Sequence, residues 1–144
     1  MEFKDIYIQL FSTLFVLRDN THNLHVNCAG KWSMYYHPFL SEVYTRADWK
    51  LDFLMESAKV QWITLPVQYA EIEISSKIVS YNEIEKNVDI QKEMMKEAMD
   101  YLMMYLWTRE TAVIPFDSVL NTELIDYKKE LRMFVFNNNA ELGV

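Results

Sequence analysis

The sequence predicts an all-α protein built as a four-helix bundle with one long connection. Two observations indicate helices. The 144 residues contain only two glycines and three prolines, and the long stretches between them are rich in Lys, Glu, Leu and Met. A third observation concerns the core, because 51% of the residues are hydrophobic and 15% are aromatic. We therefore expect one folded domain over residues 1–137 and a frayed C-terminal tail at 138–144.

The first two predicted helices form a hairpin. The first spans residues 3–27, where apolar residues recur at three- and four-residue steps, and Gly30 is a typical residue for the break that follows. The second spans residues 35–64, with Pro38 in its first turn, where a missing N–H costs little. The residues that define the two apolar stripes include Leu10, Leu14, Leu17, Leu24, Val43, Ala47, Leu51 and Leu54.

The second half of the chain supplies two more helices after a long connection. Residues 65–87 contain the segment YAEIEISSKI, which is compatible with a short helix or an extended piece. The third helix is predicted over residues 88–109, and the fourth over 118–137 with Asp117 as its N-cap. Two helices, a long crossover and two more helices form the ferritin-like topology, which other bundles share.

Charge and cysteine content narrow the function. The formal net charge is −7, which argues against a broad phosphate-binding surface and suits cation partners. Cys28 is the only cysteine, so no intramolecular disulfide can form, and we expect a cytoplasmic protein. The apolar run at residues 6–17 is too short to span a membrane and lacks a signal-peptide cleavage site.

Four side chains are candidate metal ligands. His37 lies twelve residues after His25, so both fall at the closed end of the predicted hairpin. Asp52 and Glu56 are four residues apart, which places both carboxylates on one face of helix two. Two imidazoles and two carboxylates form a ligand set suited to iron, zinc or manganese, and bundles of this kind often carry metals on such residues.

The length of helix two restricts how these ligands can meet. Asp52 is fifteen residues past His37, or roughly 22 Å at about 1.5 Å per residue. One chain therefore cannot bind a single ion through all four. Either they form no single site, or a second copy packs antiparallel about a two-fold axis near residues 44–47, giving two equivalent sites per dimer.

The motifs HNLHVNCAG, YYHPFL and LDFLME resemble those of Dps-type mini-ferritins, the DNA-protection-during-starvation family of the ferritin-like superfamily. That family has a histidine in an H-W-N-x-x-G context, a second histidine twelve residues on, and D-x-x-x-E fifteen residues later. The crossover LPVQYAEIEISSKI is also similar to the family's. The resemblance implies that His25, His37, Asp52 and Glu56 are the ferroxidase ligands, both binding the metal and carrying the catalysis.

The resemblance also implies a function. It predicts a hollow dodecamer built from two-fold dimers, in which Fe(II) is oxidised by peroxide or oxygen at a dinuclear-type intersubunit site. Fe(III) is then stored inside, which protects DNA and the cell from oxidative damage. Zinc or manganese can substitute for iron. Acidic residues near the start of helix four, Asp117, Glu123 and Asp126, are candidates for an entry pore, or simply complement the helix dipole.

Two departures from the family pattern keep an alternative open. Ser41 stands where the family usually has an aspartate, with Glu42 beside it, and Val26 replaces the usual tryptophan. Losing the carboxylate should weaken a second iron position, and losing the tryptophan removes an oxidisable ring. The alternative is a non-catalytic shell or interaction protein with a degenerate site. A zinc- or manganese-binding bundle of unrelated role is a third hypothesis.

The remaining candidates have less support. His22 has no ligand partners at matching spacing and is interpreted as structural or as a neighbour of the ligands. Glu42 is either a cavity-facing carboxylate that helps nucleate mineral or a plain surface residue. DNA binding is doubtful, because the N-terminus MEFKD has balanced charge and the C-terminus NNNAELGV is acidic.

Overall fold

A computed structural model of the protein describes the backbone of residues 3–113 and 118–143. The described chain forms five helices and no named strand, which confirms the predicted four-helix bundle with one long crossover. The helices are α1 (Phe3–Asn27), α2 (Ser33–Val60), α3 (Tyr69–Ser75), α4 (Val88–Val113) and α5 (Ser118–Leu142). None of the described helices is long and apolar enough to cross a membrane.

A tight turn at Gly30 joins α1 to α2. Gly30 has a φ of +101°, in the left-handed region that favours glycine. The Ser33 N–H and hydroxyl both donate to the Gly30 carbonyl, at 3.2 and 2.9 Å. The helix that follows begins earlier than predicted, because the Trp32 carbonyl accepts the N–H groups of Tyr35 and Tyr36. Pro38 therefore lies inside α2 and not in its first turn, which corrects the prediction.

The end of α2 also differs from the prediction. The helix stops at Val60 because Trp62 adopts a left-handed backbone, with a φ of +57°. The Ile63 N–H then donates to the Ala58 carbonyl at 2.9 Å, a bond that closes a helix end. Glycine usually occupies this left-handed position, so the sequence carried no signal for a stop before Pro66.

The crossover contains the short helix α3, and buried polar residues of α1 hold the crossover in place. The Asn20 side chain donates to the Val79 carbonyl and accepts the Tyr81 N–H, both at 2.9 Å. The Thr13 hydroxyl accepts the Lys77 N–H at 2.9 Å. These bonds satisfy backbone groups that have no helical partner, so the long connection lies in a defined path along α1.

The C-terminal helix is longer than predicted. The helix α5 continues to Leu142, into the segment 138–144 for which a frayed tail was expected. Asn138 is only 1% exposed. Its oxygen accepts the Tyr36 hydroxyl at 2.6 Å, and its amide nitrogen donates to the Lys92 carbonyl at 2.9 Å. The predicted N-cap Asp117 lies outside the described residues.

The bundle interior is apolar along most of its length. The buried Tyr7 hydroxyl donates a hydrogen bond to the Leu54 carbonyl at 3.0 Å. Among the described residues, the buried charged side chains are Lys92 and Lys128, so the part of the interior that the structure describes offers no carboxylate to a metal. The largest fully buried side chains are Tyr7, Tyr127, Leu10, Leu14, Leu17, Leu40, Leu54, Met95, Met99, Leu102, Leu106 and Leu120.

Candidate metal centre

The two histidines at the closed end of the α1–α2 hairpin are in direct contact. His25 lies in the last turn of α1, and His37 lies just inside α2. Their rings stack with centroids 3.7 Å apart and an interplanar angle of 30°. The twelve-residue spacing thus brings the imidazoles together.

A hydrogen bond determines which ring nitrogen of neutral His37 carries the proton. Its Nδ1 lies 3.1 Å from the backbone carbonyl oxygen of His25. A carbonyl only accepts, so the neutral ring that makes this bond carries its proton on Nδ1 and has a lone pair on Nε2. Metal-binding histidines commonly donate their second ring N–H to a backbone carbonyl in this way. His37 is exposed, so the Nε2 side of the cluster is open to an ion.

The surroundings of His25 favour its neutral form. Burial, followed by the positive charges available to His37 and His22, lowers its pKa below the ordinary value. The neutral imidazole is the form that binds metals. Its Nδ1 is buried and has no hydrogen-bond partner among the described residues. Most buried polar atoms in proteins are hydrogen-bonded, so the Nδ1 of His25 is an exception among the described residues.

Two further side chains surround His25. The ring of His22 lies 6.2 Å from that of His25, and the ring of Tyr44 lies 4.8 Å from His22 and 5.2 Å from His25. We call His22, His25 and His37 the histidine cluster. Sequence reasoning placed Tyr44 where helix two would cross its copy and did not place it beside the histidines. The available signal was its position seven residues after His37, which is two helical turns along the same face of α2.

The two carboxylates lie apart from the histidine cluster. Asp52 and Glu56 are exposed on the C-terminal half of α2. Within the described part of the chain, no group of three or more His, Cys, Asp or Glu side chains could hold a metal ion. This agrees with the roughly 22 Å of helix between His37 and Asp52. Within one chain, the two candidate imidazoles and the two candidate carboxylates therefore cannot meet each other.

The other singled-out positions have ordinary surroundings. Ser41 is half-buried, Glu42 is exposed, and Val26 is 60% exposed. Of the pore candidates, Glu123 pairs with the Lys50 ammonium at 2.9 Å, so its charge is partly neutralised. Asp126 lies 3.8 Å from Lys129. Burial raises the pKa of the Cys28 thiol, which leaves it a weaker nucleophile than a free cysteine.

Comparison with known proteins identifies the fold. No protein-family model and no curated protein matches the sequence. Antigen TpF1 from Treponema pallidum superposes with a TM-score of 0.88 at 20% identity, covering 98% of this chain and 91% of that one. Dps from Mycobacterium smegmatis gives 0.89 at 16% identity, with 96% and 85% covered.

A third solved structure is a Dps protein from Vibrio cholerae O1, described as a member of a broad superfamily of ferritin-like diiron-carboxylate proteins. It gives a TM-score of 0.86 at 18% identity, covering 96% of this chain and 87% of that one. The resemblance to Dps proteins inferred from the motifs is thus confirmed for the fold. At such identities the likeness extends to the fold alone, so any function must be argued from the residues.

Proposed function

We propose that this protein is an iron-binding mini-ferritin that oxidises Fe(II) at a site shared between two copies of the chain and stores Fe(III) in a hollow oligomer. The observation that carries the proposal is the split ligand set. His25 and His37 stack beside the N-terminal end of α2, and a backbone carbonyl sets the His37 tautomer. Asp52 and Glu56 are exposed on the C-terminal half of the same helix.

The ligand set suits the proposed reaction. Carboxylates are hard oxygen donors that stabilise Fe(III) relative to Fe(II), so they favour loss of an electron from the bound ion. Neutral imidazoles keep the ion bound without adding charge. Iron is the substrate here, with peroxide or oxygen as the oxidant. Zinc and manganese would compete for the same ligands and serve as inhibitors or substitutes.

A second copy is the natural partner for the exposed face of α2. Antiparallel packing that brings His37 between Asp52 and Glu56 of the other copy places the two-fold axis midway between positions 45 and 46. Large apolar side chains are exposed along the same helix, including Tyr35 at 65%, Trp49 at 58% and Met55 at 55%. Exposed apolar residues of this size favour burial in an interface.

The replacement of a carboxylate by Ser41 favours one tightly bound iron at each site. A serine hydroxyl is a weaker ligand than a carboxylate and does not offset the charge of a second cation. The same replacement supports the alternative of a non-catalytic shell with a degenerate site. The Dps fold and the net charge of −7 support a dodecameric, cytoplasmic iron store that binds DNA weakly or not at all at physiological salt.

Three measurements test the proposal. Light scattering should give a particle near twelve subunits. A monomer would contradict the proposal, because it would leave both half-sites incomplete. Peroxide-dependent oxidation of Fe(II) should be lost in His37→Ala and in Asp52→Ala but kept in Glu73→Gln, an exposed carboxylate of α3. Unchanged rates in both alanine variants would exclude the ferroxidase function. Metal analysis of the protein as purified would reveal a zinc or manganese site.

A further inference from the structure

The exposed side of α4 carries a second apolar seam, separate from the side that packs in the core. Its positions recur at alternating steps of four and three residues, the spacing of a helix that packs lengthwise against another helix. They line an open groove of about 680 Å³, which we call the α4 groove, and a neighbouring cavity of about 280 Å³ lies beside the crossover. The seam positions are Ile90, Met94, Glu97, Tyr101 and Met104.

The α4 groove combines exposed apolar surface with negative charge. Tyr101 is 41% exposed and Met104 is 61% exposed. Glu97 lies within the seam, and Glu93 and Asp100 line the same groove. Lys96, which pairs with Asp100 at 2.7 Å, is the basic residue among the groove's lining side chains. A surface of this composition favours a partner helix that presents apolar and basic side chains together.

The C-terminal half of α5 presents such a surface. Met133 and Phe136 are 60% and 68% exposed, and Lys129 and Arg132 are exposed at adjoining helical positions. We call these four residues the α5 stripe. The stripe covers seven residues, or roughly 10 Å of helix, and the α4 groove covers fourteen, or roughly 21 Å, so the stripe fits within the length of the groove.

We propose that the α4 groove of one copy binds the α5 stripe of a second copy, an inference that rests on the hollow oligomer of the proposed function. Charge complementarity favours this pairing, because two α4 grooves facing each other would bring carboxylates together. The contact joins two different surfaces, so it can repeat from copy to copy around a ring.

This contact has a role that the pairing through α2 does not fill. A two-fold contact joins only two copies, so a closed shell needs a second kind of contact. The α4 groove and the α5 stripe contain none of the proposed iron ligands, which belong to α1 and α2. Breaking the contact should therefore separate iron storage from iron oxidation.

The test reverses the charges of the groove and then those of the stripe. In Glu93→Lys with Glu97→Lys, light scattering should show the particle mass falling about six-fold, from twelve copies to two. The dimers should still oxidise Fe(II) with peroxide, but the Fe(III) should precipitate. Adding Lys129→Glu and Arg132→Glu to the same chain should restore the particle.

Two features of the variants control for other effects of charge. Each reversal changes the charge by two, so the four reversals together cancel and keep the formal net charge at −7. The control Glu71→Lys with Glu73→Lys makes the same change as the groove variant on exposed residues of α3 and should keep the particle. Circular dichroism should show equal helicity in all of these proteins, because every substituted side chain is exposed.

The outcomes separate this inference from the function on which it rests. An unchanged mass in the groove variant would overturn the assignment of a second copy and leave the groove to another molecule, such as a basic helix of a different protein. A fall in mass that the stripe reversals do not restore would overturn the pairing with α5. A wild-type dimer that oxidises Fe(II) would remove this contact and keep the ferroxidase, whereas a shell that oxidises no iron would do the reverse.

Discussion

Under the proposed function, mixing His37→Ala with Asp52→Ala should restore activity, because the two half-sites of one chain would belong to different sites of the dimer. His37→Ala destroys the imidazole half-site of its own chain and leaves the carboxylates intact, whereas Asp52→Ala does the reverse. In a dimer of either variant alone, each site lacks one ligand. In a mixed dimer, His37 of one chain meets Asp52 of the other, so one site is complete and the other lacks both.

The expected recovery follows from counting. Random pairing makes half of the dimers mixed, and each mixed dimer has one complete site of two, so activity should return to about a quarter of the wild-type value. The variants are co-expressed or refolded together, and Fe(II) oxidation by peroxide is followed. A mixture of separately assembled variants is the control for exchange and should stay at the background of the single variants.

A matched pair tests the geometry itself. His25→Ala and His37→Ala both damage the imidazole half-site, so no pairing of these two chains yields a complete site. Mixed oligomers of this pair should remain inactive. Recovery there would refute the split-site reasoning, as would a failure of His37→Ala with Asp52→Ala in oligomers shown by mass spectrometry to contain both chains. The separation of roughly 22 Å along α2 is what both results would measure.

Three further predictions concern the fold and the protonation of the cluster. Asn138→Ala removes the buried hydrogen bonds to the Tyr36 hydroxyl and the Lys92 carbonyl, so the free energy of unfolding should fall by about 2 kcal/mol in a denaturant titration; an unchanged midpoint would show that α5 is not anchored there. Asn20→Ala removes both side-chain bonds to the crossover, so limited proteolysis should cut residues 65–87 faster than in the wild type; an equal cleavage rate would contradict that anchoring. The pKa of His25, followed by NMR, should lie below 6.5, so the folded protein should lose stability as the pH falls through 6.5 toward the folded pKa. The variant His37→Ala should raise the pKa of His25, because it removes a nearby positive charge. An unchanged pKa would exclude an electrostatic coupling between the two rings.

The sequence predicted the parts of the structure that depend on local spacing. The helical periodicity of α1 and the turn at Gly30 are sufficient to place His25 beside His37. In a hairpin with a short turn, residues at similar distances before and after the turn lie opposite each other. The rise per residue of a single straight helix likewise predicted that Asp52 lies far from His37. The partner copy was inferred from that separation, and the four-residue metal site stays a prediction.

The sequence could not predict features that depend on distant contacts. The run of asparagines at 137–139 is typical of a helix end, but Asn138 is held by Tyr36, which lies 102 positions away in the chain. The end of α2 depends on Trp62 accepting a left-handed backbone, for which glycine is the usual signal.

The length of α2 has a consequence for the newly made chain. An unassembled subunit carries its histidines already paired and oriented, yet the carboxylates that would drive oxidation lie more than four helical turns away. Under the proposed function, a free subunit binds iron weakly and does not oxidise it. Redox chemistry would begin only once two copies have paired, so an isolated chain would form no Fe(III). The distance that prevents one chain from completing its own site would thus couple catalysis to the first step of assembly.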